Sequence, residues 1–253
     1  MRHWLARLVE AAGGEVEEDR YVTRPGCRIL ARTTLSSEAA AIFEQVGIDR
    51  ERPEYEQLAE FGAGLTYLSF QHSDAEAFNR RMARELQHLS VHAATSVTFL
   101  LAGVSVETSL ELLAHAEAKV ARLTSSKTRA MNETLYRLQG SSEQRAMQRA
   151  YIEAFLRERA VFEGQHHPRE GSADDNELFN ILNLGAKATA LTYTMSLKDY
   201  HRLFIGRLTP QGNETEVREV CALMCRLLQA DYPLVIRAPE EYAGTAHGEK
   251  YRT

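Results

Sequence analysis

Residues 95–107 read TSVTFLLAGVSVE, and the fold class turns on this stretch. Its first seven residues, 95–101, are mostly β-branched, aromatic or aliphatic, which is strand composition, and Gly103 predicts the end of that strand. Ser105 supplies the hydroxyl of a helix N-cap. Glu107 places a negative charge on the first turn that follows, where unpaired N–H groups favour it. This helix is expected to run from Ser105 to about Leu123. A strand feeding directly into a helix, in a chain whose other periodic segments are mostly helical, predicts an α+β architecture.

Working outward, residues 2–12 read as a short amphipathic helix ended by Gly13-Gly14, and residues 27–31 as a strand after Pro25-Gly26. Helical spacing recurs near 36–46, 54–69 and 74–87, and again from about Glu143 to Arg159. Residues 164–175 form a long irregular polar loop, and 189–195 a second strand. Helices follow at about 197–206 and 213–230. Asn213 with Glu216 resembles a capping box there, and Val217, Val220, Cys221, Met224, Leu227 and Leu228 form an apolar stripe. Residues 240–253 read as a tail. No internal repeat interrupts the pattern, so residues 1–253 read as one mostly helical domain.

Composition narrows the function classes. At 44% apolar and 26% charged, with 15 Gly and 6 Pro, the chain is neither collagen-like nor intrinsically disordered. A net charge of −5 gives no pull toward nucleic acid or an anionic membrane surface. The longest apolar run, 96–106, is about half of the roughly 20 residues that a membrane span needs. The N-terminus carries no apolar signal core, and three cysteines suit a reducing compartment, so a cytoplasmic location is expected. Cys221 and Cys225 stand four apart but lack further ligands at metal-site spacing, and His166-His167 is in the same position. Buried thiols, an exposed histidine pair and no metal are expected. P-loop, dinucleotide-fold, nucleophile-elbow and zincin motifs are absent.

The segment 111–137 holds the chemistry-bearing residues. On a continuous helix Glu111, His115, Ala118 and Arg122 share a face, with Lys119 beside His115. Thr124, Ser125, Ser126, Lys127, Thr128 and Arg129 follow. Hydroxyls, a point charge and a planar fork in one short turn suit a phosphate, and they equally suit a solvated charged loop.

From about residue 29 to 236 the chain resembles the flavin-dependent thymidylate synthases. Glu60 to Phe70 (EFGAGLTYLSF) is similar to that family's E-F-A-G-R-A-C-Y segment, and His88 to Phe99 (HLSVHAATSVTF) to its H-x-S-x-x-E-H-x-x-x-x-F strand. Gly103-Val104-Ser105 matches its G-[IV]-S, Arg202-Leu203-Phe204 its R-x-F, Glu216-Val217-Arg218 its E-I-R, and 230–236 (ADYPLVI) its terminal A-x-P-x-x-F. The signature R-H-R-x-x-S-x-N-E-x-S-x-R-Y is largely lost. Counted from Gly103, its positions fall on Ala114, His115, Ala116, Lys119, Ala121, Arg122, Thr124, Ser126 and Lys127. The motif's E-H pair is Ala93-Ala94, its G-R-A-C-Y arginine is Gly64, and a nucleotide-contacting arginine falls on Leu208, beside Arg207.

The resemblance implies a small sheet packed with long helices, a homotetramer, and reductive C5 methylation of a pyrimidine nucleotide, dUMP or UMP. FAD would be the cofactor, with reduced nicotinamide and methylene-tetrahydrofolate as co-substrates. It implies Glu111, His115, Lys119 and Arg122 as cofactor-binding residues. Thr124, Ser125, Ser126, Lys127, Arg129 and Arg207 would bind substrate. It assigns no protein nucleophile, because flavin and folate carry the chemistry. Each lost arginine removes a charge-assisted hydrogen bond of about 1.5–3 kcal/mol. The alternative is a catalytically silent paralogue that keeps the fold as a nucleotide-binding or partner subunit.

Overall fold

The strand expected at 95–101 does not stop at Gly103. In the computed structural model, which describes residues 4–67, 74–86, 88–115, 117–122, 134–165, 185–209 and 215–244, it continues to Ser105. Gly103 has φ +79°, and a Cβ there would stand 2.8 Å from Val22 Cγ1 and 2.9 Å from Val9 Cγ2. The residue is glycine because neighbouring side chains press onto the backbone, not because the strand ends.

The elements run α1 (Trp4–Ala11), β1 (Glu15–Glu17), β2 (Tyr21–Arg24), β3 (Gly26–Arg32), α2 (Ser37–Gln45), α3 (Glu54–Tyr67) and α4 (Ala75–Arg80). A π-helical turn, Arg81–Glu85, and a 3₁₀ turn, Leu89–His92, lead to β4 (Ser96–Ser105). Then come α5 (Val106–Leu113), β5 (Lys119–Arg122), β6 (Tyr136–Arg137), α6 (Ser142–Gln165), β7 (Ala188–Ser196), α7 (Leu197–Arg207), α8 (Thr215–Asp231) and α9 (Pro239–Ala243). One sheet has the order β1-β2-β6, with β1–β2 antiparallel and β2–β6 parallel; the other has the order β3-β4-β7-β5. The fold is α+β. By contacts the chain divides into two units, residues 1–28, 100–193 and 215–220, and residues 29–99, 194–214 and 221–253.

The long helix expected from Ser105 to Leu123 is overturned. Ser105 does cap it, accepting the Thr108 N–H at 3.0 Å, but α5 ends at Leu113 and the chain re-forms as strand β5. The sequence AHAEA at 114–118 has helix propensity. The backbone hydrogen bonds offered by the edge of a sheet outweigh a preference of a few tenths of a kcal/mol per residue. The tail reading is corrected in part: Pro239–Ala243 is helical, and Tyr242 is buried. Residues 245–253 lie outside the described residues, as does Asn213 of the expected capping box.

Glu216, the other half of that box, is spent elsewhere. In the first unit its Oε1 accepts the Ser105 N–H at 2.9 Å and Arg137 Nε at 3.2 Å. Its Oε2 accepts Thr108 Oγ1 at 2.9 Å and Gln139 Nε2 at 2.7 Å. Arg137, buried like Glu216, also donates to Thr23 O at 2.7 Å, Val22 O at 3.2 Å and Glu219 Oε2 at 2.5 Å. In the same unit Leu5, Val9, Val22, Ala102, Leu135 and Ala188 form one apolar cluster. Tyr21, Tyr136, Leu138 and Ile152 form another, with Leu156 packed against it.

In the second unit Phe99, Tyr200, Phe204 and Tyr242 make a chain of ring contacts 5.5–6.0 Å apart. Two histidines are buried there. His201 Nδ1 shares a 2.7 Å hydrogen bond with Tyr242 Oη, while His201 Nε2 and both nitrogens of His92 have no hydrogen-bond partner among the described residues. Burial lowers the pKa of His92 to about 4. Burial, with the charges of Arg237 and Arg84, lowers that of His201 to about 3. Cys221 and Cys225 are buried thiols as expected, pushed up to about 12 by burial.

Two outcomes follow. Glu216→Ala strands a buried guanidinium and is expected to lower stability by about 3–5 kcal/mol in chemical denaturation. Glu219→Ala, whose carboxylate is partly exposed, should cost much less. The second outcome concerns acid. An unfolded histidine titrates near 6.5, so the unfolded chain binds protons that His92 and His201 refuse when folded. Stability is therefore full above about pH 6.5 and falls as pH drops toward 4. Unfolding free energies from urea titrations at pH 7 and pH 5 should differ by about 2 kcal/mol for each histidine, and His92→Leu should remove its share.

Candidate functional site

The ending of α5 at Leu113 rearranges the residues read in the sequence. A strand alternates, so Lys119 and Ala121 face one way and Val120 and Arg122 the other; the burial pattern, exposed for the first pair and half-buried for the second, follows this period of two. Lys119 and Arg122 do not share a face. Arg122 reaches back to α5, where its Nη1 donates to Ser109 Oγ at 2.8 Å, and Ser109 Oγ donates to Val106 O at 2.6 Å. Ser109 lies two residues, about 200°, from Glu111 around the helix. The face shared by Glu111, His115, Ala118 and Arg122 therefore does not exist.

His115 is half-buried in the turn between α5 and β5. Its N–H donates to Leu112 O at 3.4 Å, and its carbonyl accepts the Ala118 N–H at 3.1 Å. Arg207, at the end of α7, belongs to the second unit and is half-buried. Ala116 and the whole of Thr124, Ser125, Ser126, Lys127 and Arg129 lie outside the described residues.

The described part of the aligned signature thus carries one guanidinium, and its environment is specific. Arg122 Nε is buried and has no hydrogen-bond partner among the described residues. A buried N–H without an acceptor costs about 1–3 kcal/mol, and an anion docked on that edge would remove the penalty. The donor set fits one phosphate or carboxylate group and lacks the paired guanidinium forks of the motif, whose positions hold Ala114 and Ala116. Among the described residues no cluster of three or more His, Cys, Asp or Glu could hold a metal.

A described cleft lies elsewhere. In the second unit a cleft of about 930 Å³ is walled by Asp49, Glu51, Asp74, Glu76 and Asp231, with Arg52 already paired to Glu56 at 2.5 Å and Glu60 at 2.6 Å. Its carboxylates repel a phosphate, so it is no seat for a nucleotide's charged end.

Sequence reasoning counted Arg137 in the segment 111–137 but missed its role in holding the fold, and it passed over Lys187. The first had a signal: in Leu135-Tyr136-Arg137-Leu138 an arginine sits inside an apolar run, which calls for a buried carboxylate partner. Lys187 stands in a similar run of small and apolar residues at the entry to β7.

No protein-family model and no curated protein matches the chain. Solved structures do. Thymidylate synthase X from Helicobacter pylori, with FAD and dUMP, superposes with a TM-score of 0.61 at 14% identity, over 87% of this chain and 99% of that one. A second structure described as the flavin-dependent thymidylate synthase of the same organism, again with FAD and dUMP, gives 0.57 at 14% identity, over 72% and 93%. The UMP/dUMP methylase of Streptomyces cacaoi, bound with 5-Br UMP, gives 0.59 at 13% identity, over 88% and 97%. The chain has the fold of these proteins.

Arg122→Met should weaken binding of an anionic ligand at this turn by about tenfold or more, the worth of one charged hydrogen bond. The half-buried side chain makes one described hydrogen bond, so the melting temperature should move by only a few degrees. Titration calorimetry with dUMP and with FAD, beside a thermal melt, checks both.

Proposed function

We propose that this chain is a divergent flavin-dependent enzyme of the thymidylate synthase type, which binds FAD and a pyrimidine nucleotide, dUMP or UMP, and methylates it reductively at C5. What supports the reading is the extent of the shared fold: it spans 99% and 97% of two proteins described with FAD and dUMP and as a UMP/dUMP methylase. Methylene-tetrahydrofolate would donate the carbon and a reduced nicotinamide the electrons. The reading includes one domain over residues 1–253, a homotetramer, and a cytoplasmic setting. Among the described residues no helix is long and apolar enough to cross a membrane.

A bound flavin would supply the hydride; the chain supplies position and charge. Arg122, steered by Ser109, is the group that would hold an anionic edge of cofactor or nucleotide. His115 in the turn before β5, Lys119 on the opposite face of β5 from Arg122, and Glu111 on α5 remain proposed cofactor contacts without a face in common. Thr124, Ser125, Ser126, Lys127 and Arg129, with Arg207, are proposed to bind the nucleotide. The alanines at 114, 116 and 121 favour a second reading, a silent paralogue that retains the fold without the flavin.

The absorption spectrum separates the two. The protein as purified, or after FAD is added and excess removed, should show a flavin band near 450 nm at roughly one flavin per chain. Protein that stays colourless after FAD addition would overturn the enzyme reading in favour of the paralogue.

A further inference from the structure

Helix α6 of the first unit has two working faces, and only the inner one is used within the described residues. The helix is 24 residues long, about 36 Å at a rise of 1.5 Å per residue. Its inner face is fixed. Gln148 bonds Gln139, Arg149 pairs with Glu17 at 2.8 Å and stands 4.7 Å over the Tyr21 ring, and Ile152 and Leu156 pack with Tyr21, Tyr136 and Leu138. Ala150 and Ala154 lie two residues to either side of Ile152, each about 200° from it around the helix, so they face outward.

Steps of four and three along that outward line pick out Glu143, Met147, Ala150, Ala154, Arg157 and Val161, which is the heptad spacing of a helix-pairing seam. All are exposed except Ala154, which is half-buried, and Tyr151 borders the line. Met147, Tyr151 and Val161 are 69%, 65% and 63% exposed, the three most exposed large apolar side chains among the described residues. Scattered apolar residues are ordinary on a surface; three along one helix face, in pairing register, mark a contact surface.

The charges on the seam identify the occupant. Neither Glu143 nor Arg157 makes an ion pair or side-chain hydrogen bond among the described residues. In a parallel pair of two copies each residue meets its own counterpart, which sets Glu143 against Glu143 and Arg157 against Arg157. In an antiparallel pair with the two-fold axis beside Ile152, Ala150 meets the partner's Ala154, and Met147 meets the partner's Arg157. Arg157 then comes within one turn of the partner's Glu143, twice by symmetry. Glu158 lies on the opposite flank of the seam. The small side chains at the centre allow the axes to approach to about 8 Å. The strip, about 36 Å by about 10 Å, offers on the order of 400 Å² per copy, half of what a standard interface buries on each partner. That area suits reversible pairing in the micromolar range.

We propose that the outer face of α6 is a self-association surface, on which two copies of this chain pair antiparallel through Met147, Ala150, Tyr151, Ala154 and Val161, with Arg157 against the partner's Glu143. The inference rests on α6 alone and not on the flavin reading. A two-fold contact of this kind is one of the interfaces that a dihedral tetramer contains.

Analytical ultracentrifugation of the full chain across about 1–100 µM, a range that brackets such pairing, tests it. Wild type should form dimers or larger species. Ala150→Glu sets two like charges against the centre of the seam and should weaken association by about a hundredfold or more, while the thermal melt of the dissociated chain stays where it was. Arg157→Glu should weaken association about tenfold, and adding Glu143→Arg should restore most of that loss. Within one chain residues 143 and 157 stand about 21 Å apart, beyond the screening length, so the recovery can come only from the partner copy. A wild type that stays monomeric at every concentration overturns the proposal. So does association that Ala150→Glu leaves unchanged, which would mean that another face pairs. A loss in Arg157→Glu that Glu143→Arg does not repair overturns it as well. The flavin band of the same samples is read separately. Protein that pairs through α6 yet takes up no FAD keeps this proposal and loses the enzyme reading; flavin-bearing protein indifferent to Ala150→Glu does the reverse.

Discussion

Burying a guanidinium and a carboxylate together is tolerable only if every donor and acceptor they carry is used, and Arg137 with Glu216 meets that demand. Taking two charges out of water costs several kcal/mol each, so the surrounding backbone has to be built to face them. Glu216 accepts from the first residue of the α5 cap, from Thr108 one turn on, and from Gln139 beyond β6. Arg137 takes the carbonyls of Val22 and Thr23 at the middle of β2. The pair therefore fixes the start of α5, the end of β6, the path of β2 and the first turn of α8 at once. Ser109 sits one turn from the Ser105 cap, so the position from which Arg122 is held follows from the same pair.

The first unit separates two kinds of cation. Arg137 is buried and fully answered by carboxylates and carbonyls; its charge is used up in holding the fold. Arg122 is half-buried and has an N–H lacking an acceptor among the described residues. Natural folds satisfy buried polar groups almost everywhere, so exceptions that carry positive charge mark where an anion is expected. The cleft of the second unit walled by Asp49, Glu51, Asp74, Glu76 and Asp231 is carboxylate-rich instead. A phosphate-bearing ligand and that cleft are electrostatically incompatible, whereas Arg122 of the first unit suits one.

Most elements could be read in the sequence because their signals were local. Gly13-Gly14 closes α1, Ser105 caps α5, and the stripe from Val217 to Leu228 buries one side of α8. What failed was set at a distance. Gly103 was read as a stop because glycine is a common local breaker; its cause lies in Val9 and Val22, far away in sequence. The helix from Ser105 to Leu123 was read from its start, the Ser105 cap and Glu107, and past Leu113 the backbone went instead to a sheet edge that no local rule reveals. That single error moved the candidate site, because a 3.6-residue period and a two-residue period distribute Glu111, His115, Lys119 and Arg122 to different faces. Lys187 went unread for a related reason: its environment is supplied by α6, some thirty residues earlier.

These errors bear unequally on function. A reaction whose bonds are made and broken by a flavin and a folate asks the protein for orientation and charge, and those can be supplied from different chain positions if the backbone frame is kept. On the proposed reading, alanine where the motif has arginine would weigh more on affinity than on reaction type. Each lost fork is worth one or two powers of ten in binding, and a cation placed elsewhere in the same unit can recover one of them.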